Sequence, residues 1–242
     1  MDELTFHRAL FRPGTILDIG AHDGLLTVPL AGLPGARVVA FEPLPPAMAR
    51  LRTAVAGLAV AGLDVTLHDC ALGAIDGEIT LEVPSVFGVA QEQWASVIKD
   101  YAAIRQIDPR VDSIARHRVT QKRLDSFVFT DVTAIKLDVE GAEEEVVRGA
   151  ATTIRTCRPV MTVEIEERHR PCSTRDVPAV LAELGLIGFF WLDRWRPIDD
   201  FDASRMQVAS PSPAEFSASD PYVFIFYFVP PDRVEELLAL AG

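Results

Sequence analysis

The chain has 242 residues, 49% of them hydrophobic and 24% charged, a length that fits one α/β domain with a core large enough to need no covalent staple. Its 35 acidic and 23 basic residues give a formal net charge of −12, which repels a phosphate backbone and excludes a nucleic acid as the expected partner. Three cysteines (Cys70, Cys157, Cys172) without a C-x-x-C pair exclude a disulfide framework or a zinc site, and a Met-Asp-Glu start with short uncharged runs such as the 11 residues Thr53 to Leu63 predicts a cytoplasmic chain with no signal peptide and no membrane span.

Strand and helix signals alternate from residue 15 to residue 190. The first strand, 15–20, runs through a glycine turn, ILDIGAHDG (Ile16 to Gly24), into a helix over 23–31. Gly20 permits a tight turn, and Gly24 permits close approach of a helix or ligand. The spacing Gly-x-x-x-Gly is not the Gly-x-Gly-x-x-Gly of dinucleotide binders. Asp18 is therefore expected to face a cationic amino group, and His22 to contribute its backbone. The second strand, 37–43, ends at Pro43. Glu42 stands 22 residues after Gly20, the separation at which a carboxylate accepts from both ribose hydroxyls. A helix over 45–62 opens on Pro45 and Pro46 and carries Met48, Leu51, Val55 and Leu58 at helical spacing.

The third strand, 64–69, leads into DCALG. Asp69 either receives an adenine amino group or caps the turn. The backbone of Cys70, followed by Ala71, can serve a ring nitrogen. Residues 84–120 break the rhythm, as do 193–220 with their Ser/Pro-rich stretch Ser210 to Ser219, and both are read as substrate-side insertions. The first is expected to hold a helix with Trp94, Val97, Ile98 and Tyr101 on one stripe. Trp94 and Tyr101 could stack on an acceptor ring, although such a stripe is more often core. The basic stretch Arg116 to Arg123 reads as a solvated face.

The fourth strand, 134–139, carries Lys136, Asp138 and Glu140 alternating at its end. A lysine in an apolar strand needs an acidic partner. The following helix opens with Glu143, Glu144 and Glu145 and buries Val146, Val147, Ala150 and Ile154. The fifth strand, 159–166, brings Glu164 and Glu166 beside this edge. A carboxylate cluster there reads first as a general base, second as an ion-pair network and third as a Mg²⁺ site, so Mg²⁺ is possible but no metal is predicted. His169 reads as a base or, more simply, as a solvated loop residue. A helix over 174–184 stops at Gly185, and strands over 187–192 and 221–229 complete the sheet. Five crossover-linked strands imply a parallel α/β sheet with helices on both faces.

ILDIGAHDG, AFEP, DCALG, RLDSF, IKLDVEGAEEEVVRGA and PVMTVEIE, in this order, resemble the FkbM-type methyltransferases over residues 14–170. The resemblance implies the Rossmann-like class I methyltransferase fold, a seven-stranded, mostly parallel sheet with an antiparallel last strand, in a single domain over 1–242. It implies S-adenosylmethionine as the donor and O-methylation of a small-molecule, glycan or secondary-metabolite hydroxyl as the reaction. Asp18, Gly20, Ala21, His22 and Gly24 would hold the methionine end, Glu42 and Pro43 the ribose, and Asp69, Cys70 and Ala71 the adenine. Asp138, Glu140 and Glu164 would stand at the reacting methyl, with Trp94, Tyr101, Lys136 and His169 toward the acceptor. Two features depart from the family: His22 replaces the usual asparagine, and 84–120 lacks a glycine- and serine-rich stretch. A nicotinamide oxidoreductase and a catalytically silent cofactor-binding module are the alternatives.

Overall fold

The computed structural model describes residues 1–209 and 217–240; most of the Ser210–Ser219 stretch lies outside them. The chain enters the main sheet with β1 (Gly14–Ile19), β2 (Ala36–Phe41) and β3 (Asp64–His68). A second sheet follows, from β4 (Ala71–Leu72), β5 (Gly77–Val86), β6 (Val89–Ala90) and β7 (Val111–Lys122). The chain then returns with β8 (Val132–Leu137), β9 (Val160–Glu164), β10 (Ile187–Trp191), β11 (Trp195–Pro197) and β12 (Ile225–Val229). The order of the main sheet is β11-β10-β12-β9-β8-β1-β2-β3. Neighbouring strands from β3 to β9 are parallel, and β12 runs antiparallel between β9 and β10.

The expected sheet is present with one addition. The short β11 folds back antiparallel on β10, with Trp195 edge-on to Trp191, and makes an eighth strand at that margin. Both faces are buried, so successive residues of one strand serve different cores. Leu17, Val39, Ile135 and Met161 face one core, which receives Val146, Ile154, Val177 and Leu181. Ile16, Val38, Ala134 and Val160 face the other, which receives Phe6, Leu10 and Leu30. The period-two geometry of a strand thus requires apolar residues at nearly every position of a central parallel strand.

These core residues arrive on helices α1 (Glu3–Leu10), α2 (Thr27–Ala31), α5 (Glu143–Gly149), α6 (Ala151–Cys157) and α7 (Ser173–Glu183), while α3 (Pro45–Val55) packs in a smaller cluster with Ala21 and Ala40 and α4 (Tyr101–Ile107) lies in the insertion. The single expected helix after β8 divides at Ala150 into α5 and α6. Asp125, in RLDSF, accepts from the backbone N–H groups of Thr152 and Thr153 and so caps the start of α6. Among the described residues, no helix is long and apolar enough to cross a membrane.

The first insertion departs most from expectation. It begins at Ala71, and its frame is the antiparallel pair β5/β7, with Ile79↔Val119 and Leu81↔His117 in register. No helix unites Trp94 with Tyr101. Trp94 closes a 3₁₀ turn, Val97 and Ile98 lie outside helix, and Asp100 starts α4 by accepting from Ala103 N–H. The basic stretch lies on β7, where Arg118 and Arg116 pair across the hairpin with Glu78 and Glu82.

The strand order reverses between β1 and β8, the topological switch point at which ligands bind in open α/β sheets. Their carboxyl ends touch there: Asp138 N–H donates to the Ile19 carbonyl. Gly20 has φ +77°, and a Cβ on it would stand 1.8 Å from the Asp138 carbonyl oxygen. Gly20→Ala is therefore expected to cost more than about 3 kcal/mol, combining left-handed strain with a backbone clash. Gly62→Ala, with nearly the same φ but open space around it, should cost about 1–2 kcal/mol. Denaturant titration of both variants measures the difference, and equal costs would show that the β1/β8 contact is not restrictive.

His7 supplies a second test. Its buried ring makes a 3.0 Å hydrogen bond through Nε2 to Thr162, while Nδ1 has no partner. Burial, assisted by the Lys136 charge, pushes its pKa down to about 3. The unfolded chain titrates this residue near pH 6.5 and so binds the extra proton first. Stability from His7 is complete above pH 6.5 and is lost as the pH falls toward 3, at up to about 1.4 kcal/mol per unit. The stability difference between wild type and His7→Gln should shrink with that slope, and a pH-independent difference would refute it.

Candidate functional site

The turn after β1 and the end of β2 are welded together. Gly20 and Ala21 N–H both donate to the Phe41 carbonyl at 3.0 Å. Glu42 then points inward, where its two carboxylate oxygens accept from His22 N–H at 2.9 Å and Leu44 N–H at 2.7 Å. Each oxygen keeps a free lone pair. Burial raises the Glu42 pKa against these two bonds.

A cleft of about 240 Å³ opens here, lined by Gly20, Glu42, Pro43, Cys70, Leu72 and Asp138, among others. Ala71, Trp94 and Glu140 also face it. Cys70 is a buried thiol whose pKa burial pushes up to about 11, so it remains protonated. A second cleft of about 340 Å³ shares Gly20, His22 and Asp138 with the first and continues past Ala21, Asp18 and Lys136 to Glu3 on α1.

Asp18 is fully buried. One of its oxygens accepts from the Thr27 hydroxyl at 2.5 Å, and the other has no hydrogen-bond partner. Lys136 Nζ donates to the Gly20 carbonyl at 2.7 Å and stands 3.8 Å from Asp18 and 3.5 Å from Asp138. Burial alone would depress its pKa, but Asp138 and Asp18 overcome that and lift it above its ordinary value. The expected acidic partner of this lysine is therefore two aspartates.

The loop after β8 is fixed from three sides. Glu143 accepts from Val139 and Gly141 N–H. Ser96 of the insertion donates to the Glu140 carbonyl at 2.7 Å. A Cβ on Gly141 would meet the His169 carbonyl at 3.3 Å. Glu140 itself has φ +58° and pairs with Lys99, while burial pushes its pKa up to about 7. Glu164, at the end of β9, is raised well above its ordinary value by burial and then by Asp138.

Several expected positions need correction. Asp69 does not face the cleft: its side chain is 78% exposed and stands 3.6 Å from Arg52. Gly24 packs on Leu51 of α3 and lines neither cleft. Tyr101 is core, buried with its hydroxyl on the Trp94 carbonyl, so its ring is not offered to an acceptor. His169 is not solvated. Its ring is buried against Glu140 and Glu166, because Gly141 draws the two loops together. Burial, Lys99 and Arg168 hold its pKa far below the ordinary value, leaving the ring neutral.

Lys99, Ser96, Glu3 and Thr27 were not singled out from sequence. None has a local pattern that marks it: Lys99, Ser96 and Glu3 act on residues more than 40 positions away, and Thr27 reaches Asp18 only because the glycine turn folds α2 back on β1. Glu143 had a signal, its place in a helix first turn after Gly141, which is where a side chain reaches back to loop N–H groups.

The sequence profile of the methyltransferase FkbM domain matches residues 18–189. Methyltransferase 1 of Beauveria bassiana (strain ARSEF 2860) is 28% identical over 144 residues, covering 55% of this chain and 57% of that protein. The crystal structure of methyltransferase FkbM from Methylobacillus flagellatus KT superposes on 93% of this chain and 50% of its own with a TM-score of 0.53 at 16% identity, a likeness of fold. The chain thus spans about half the length of these two relatives. With a profile match from β1 to β10 laid over this fold, the chain belongs to the FkbM methyltransferase family.

Proposed function

We propose that the chain transfers a methyl group from S-adenosylmethionine to a hydroxyl of a small, uncharged or cationic acceptor such as a glycan or secondary metabolite. The observation that carries this reading is the pair of joined clefts at the β1/β8 switch point. One presents the Glu42 carboxylate with free lone pairs, and the other leads to the orphaned Asp18 oxygen. Glu42 suits ribose hydroxyls, Cys70 and Leu72 a flat adenine ring, and the negative wall of Asp18 and Asp138 a methionine ammonium. Gly20 keeps its carbon-free side against Asp138, so the floor of the donor site is backbone.

Bound there, S-adenosylmethionine supplies an electrophilic sulfonium methyl. The protein's part is alignment and proton removal. Asp138 reaches both clefts and is held by Lys136, which places one carboxylate at the meeting point of donor and acceptor. There it takes the proton that the attacking hydroxyl loses, with Glu140 and Glu164 completing the edge. Positioning of the two reactants supplies much of the remaining rate.

The acceptor cavity, about 580 Å³, lies across Glu3 and Glu164 at the same sheet edge. The rings of Trp191, Tyr222 and Phe224 and the acids Asp2, Glu3 and Glu164 line it, and no lysine or arginine does so among the described residues. Such a wall suits sugar-like hydroxyls and rejects phosphates, which argues against a nucleic-acid acceptor.

Calorimetric titration with S-adenosylhomocysteine should show saturable binding, with NADH giving none. Glu42→Ala should weaken it at least tenfold, because the His22 and Leu44 N–H groups lose their acceptor along with the ribose contact. No binding by the folded wild-type chain would refute the reading and return the glycine turn to a structural role. Asp138→Asn should weaken S-adenosylhomocysteine binding, because the ammonium loses one of its two carboxylates, and at saturating donor should lose roughly 10²–10⁴ in turnover once an acceptor is found. Full turnover would remove Asp138 from the essential groups.

A further inference from the structure

Glu140, Glu164 and His169 come from three separate segments, yet one potential ligand atom from each lies within 4.8 Å of the others. The His169 ring is almost wholly buried. Its Nε2 stands 3.3 Å from the Glu140 carboxylate and 3.2 Å from Glu166 without making a hydrogen bond to either. A buried, neutral imidazole nitrogen with no partner, aimed at two carboxylates, is a donor set without an acceptor. Glu166 is committed elsewhere: Arg168 holds it through bonds of 2.7 and 2.6 Å, and the Tyr222 hydroxyl donates to it. Among the described residues Glu164 has no such partner, and Glu140, whose cation is the single ammonium of Lys99, can exchange that contact for an ion shared with His169.

We propose that Glu140, Glu164 and His169 bind one divalent transition-metal ion. Oxygen and nitrogen ligands at about 2.1 Å from an ion stand at most about 4.2 Å apart, so small side-chain rotations close the site. Two carboxylates and one imidazole suit Mn²⁺ or Zn²⁺ better than Mg²⁺, and three protein ligands leave coordination positions open. Glu140 faces the donor cleft and Glu164 the acceptor cavity, so the open positions lie between the two. An acceptor oxygen bound there would give up its proton more readily. That catalytic role rests on the methyl-transfer reading, whereas metal affinity does not. Lys99, paired with Glu140, is the built-in competitor for the ion.

The test is titration of the full chain with Mn²⁺, followed by loss of the free-ion electron paramagnetic resonance signal, and with Zn²⁺ by calorimetry. Circular dichroism and thermal unfolding of each variant report the fold. One ion should bind per chain, at least tenfold more weakly in Glu164→Gln and in His169→Gln, and more tightly in Lys99→Met. Saturable binding of neither ion to wild type overturns the proposal, as does binding that Glu164→Gln and His169→Gln leave unchanged. Binding confined to Lys99→Met overturns it as well, because the ammonium would then be the native cation. Since no donor or acceptor enters the titration, these outcomes are independent of whether methyl transfer is the reaction.

Discussion

The ammonium of Lys136 is the constraint around which the sheet edge is organised. It is buried on a central strand, where an uncompensated charge would cost several kcal/mol. Compensation comes from β1 through Asp18 and the Gly20 carbonyl, from its own strand through Asp138, and at longer range from Glu3 on α1 and Glu164 on β9. Four elements are thereby tied to one point. A single cation faces several carboxyl groups, so this edge holds more acidic groups than basic ones. A ligand bearing its own positive charge completes the balance that Lys136 begins.

Much of the main sheet was legible because its physics is local. A strand buried on both faces needs near-continuous apolar runs, and ILDI, VVAF, AIKL and VMTV have them, broken only by the buried Asp18, Lys136 and Thr162. Glycine turns and helix stops are equally local: Gly20, Gly141 and Gly185 all have φ values that favour glycine. The second sheet was read wrongly for the complementary reason. β5 alternates as a half-buried strand should, with Ile79, Leu81 and Val83 facing inward, but its partner β7 lies beyond a loop carrying a helix-like stripe. That stripe yielded to tertiary contacts. Ser96 bonds the Glu140 carbonyl, which fixes the chain in an extended path where a helix would have had to run.

The candidate site divides along the same line. Glu42, Gly20 and Asp138 sit at strand ends whose position follows from strand order, so sequence spacing located them. His169, Lys99 and Tyr101 owe their surroundings to contacts across the insertion and the loop after β9, which spacing along the chain does not encode. Asp69 shows the opposite failure. Its place at a strand end suggested a ligand contact, but β3 is the outermost strand on its side, and a side chain there turns to solvent and Arg52.

Backbone strain separates structural from functional loops. Positive φ at non-glycine residues occurs at His22, Phe87, Val128, Glu140, Arg158 and Cys172. Val128, Arg158 and Cys172 cap helix ends, and Phe87 lies at the tip of the β5/β6 hairpin. Among the described residues with such a φ, only His22 and Glu140 line the cleft at the β1/β8 switch point. Each such residue costs about 1–2 kcal/mol, and each is held by a carboxylate that accepts backbone N–H bonds beside it, Glu42 for His22 and Glu143 for the Gly141 that follows Glu140. Both holding groups are themselves buried acids, raised by burial and lowered by those same hydrogen bonds. The strain at the cleft is therefore maintained by buried carboxyl groups that need the loop N–H groups as much as the loops need them, and a change to either partner would be felt at the cleft before it was felt in the core.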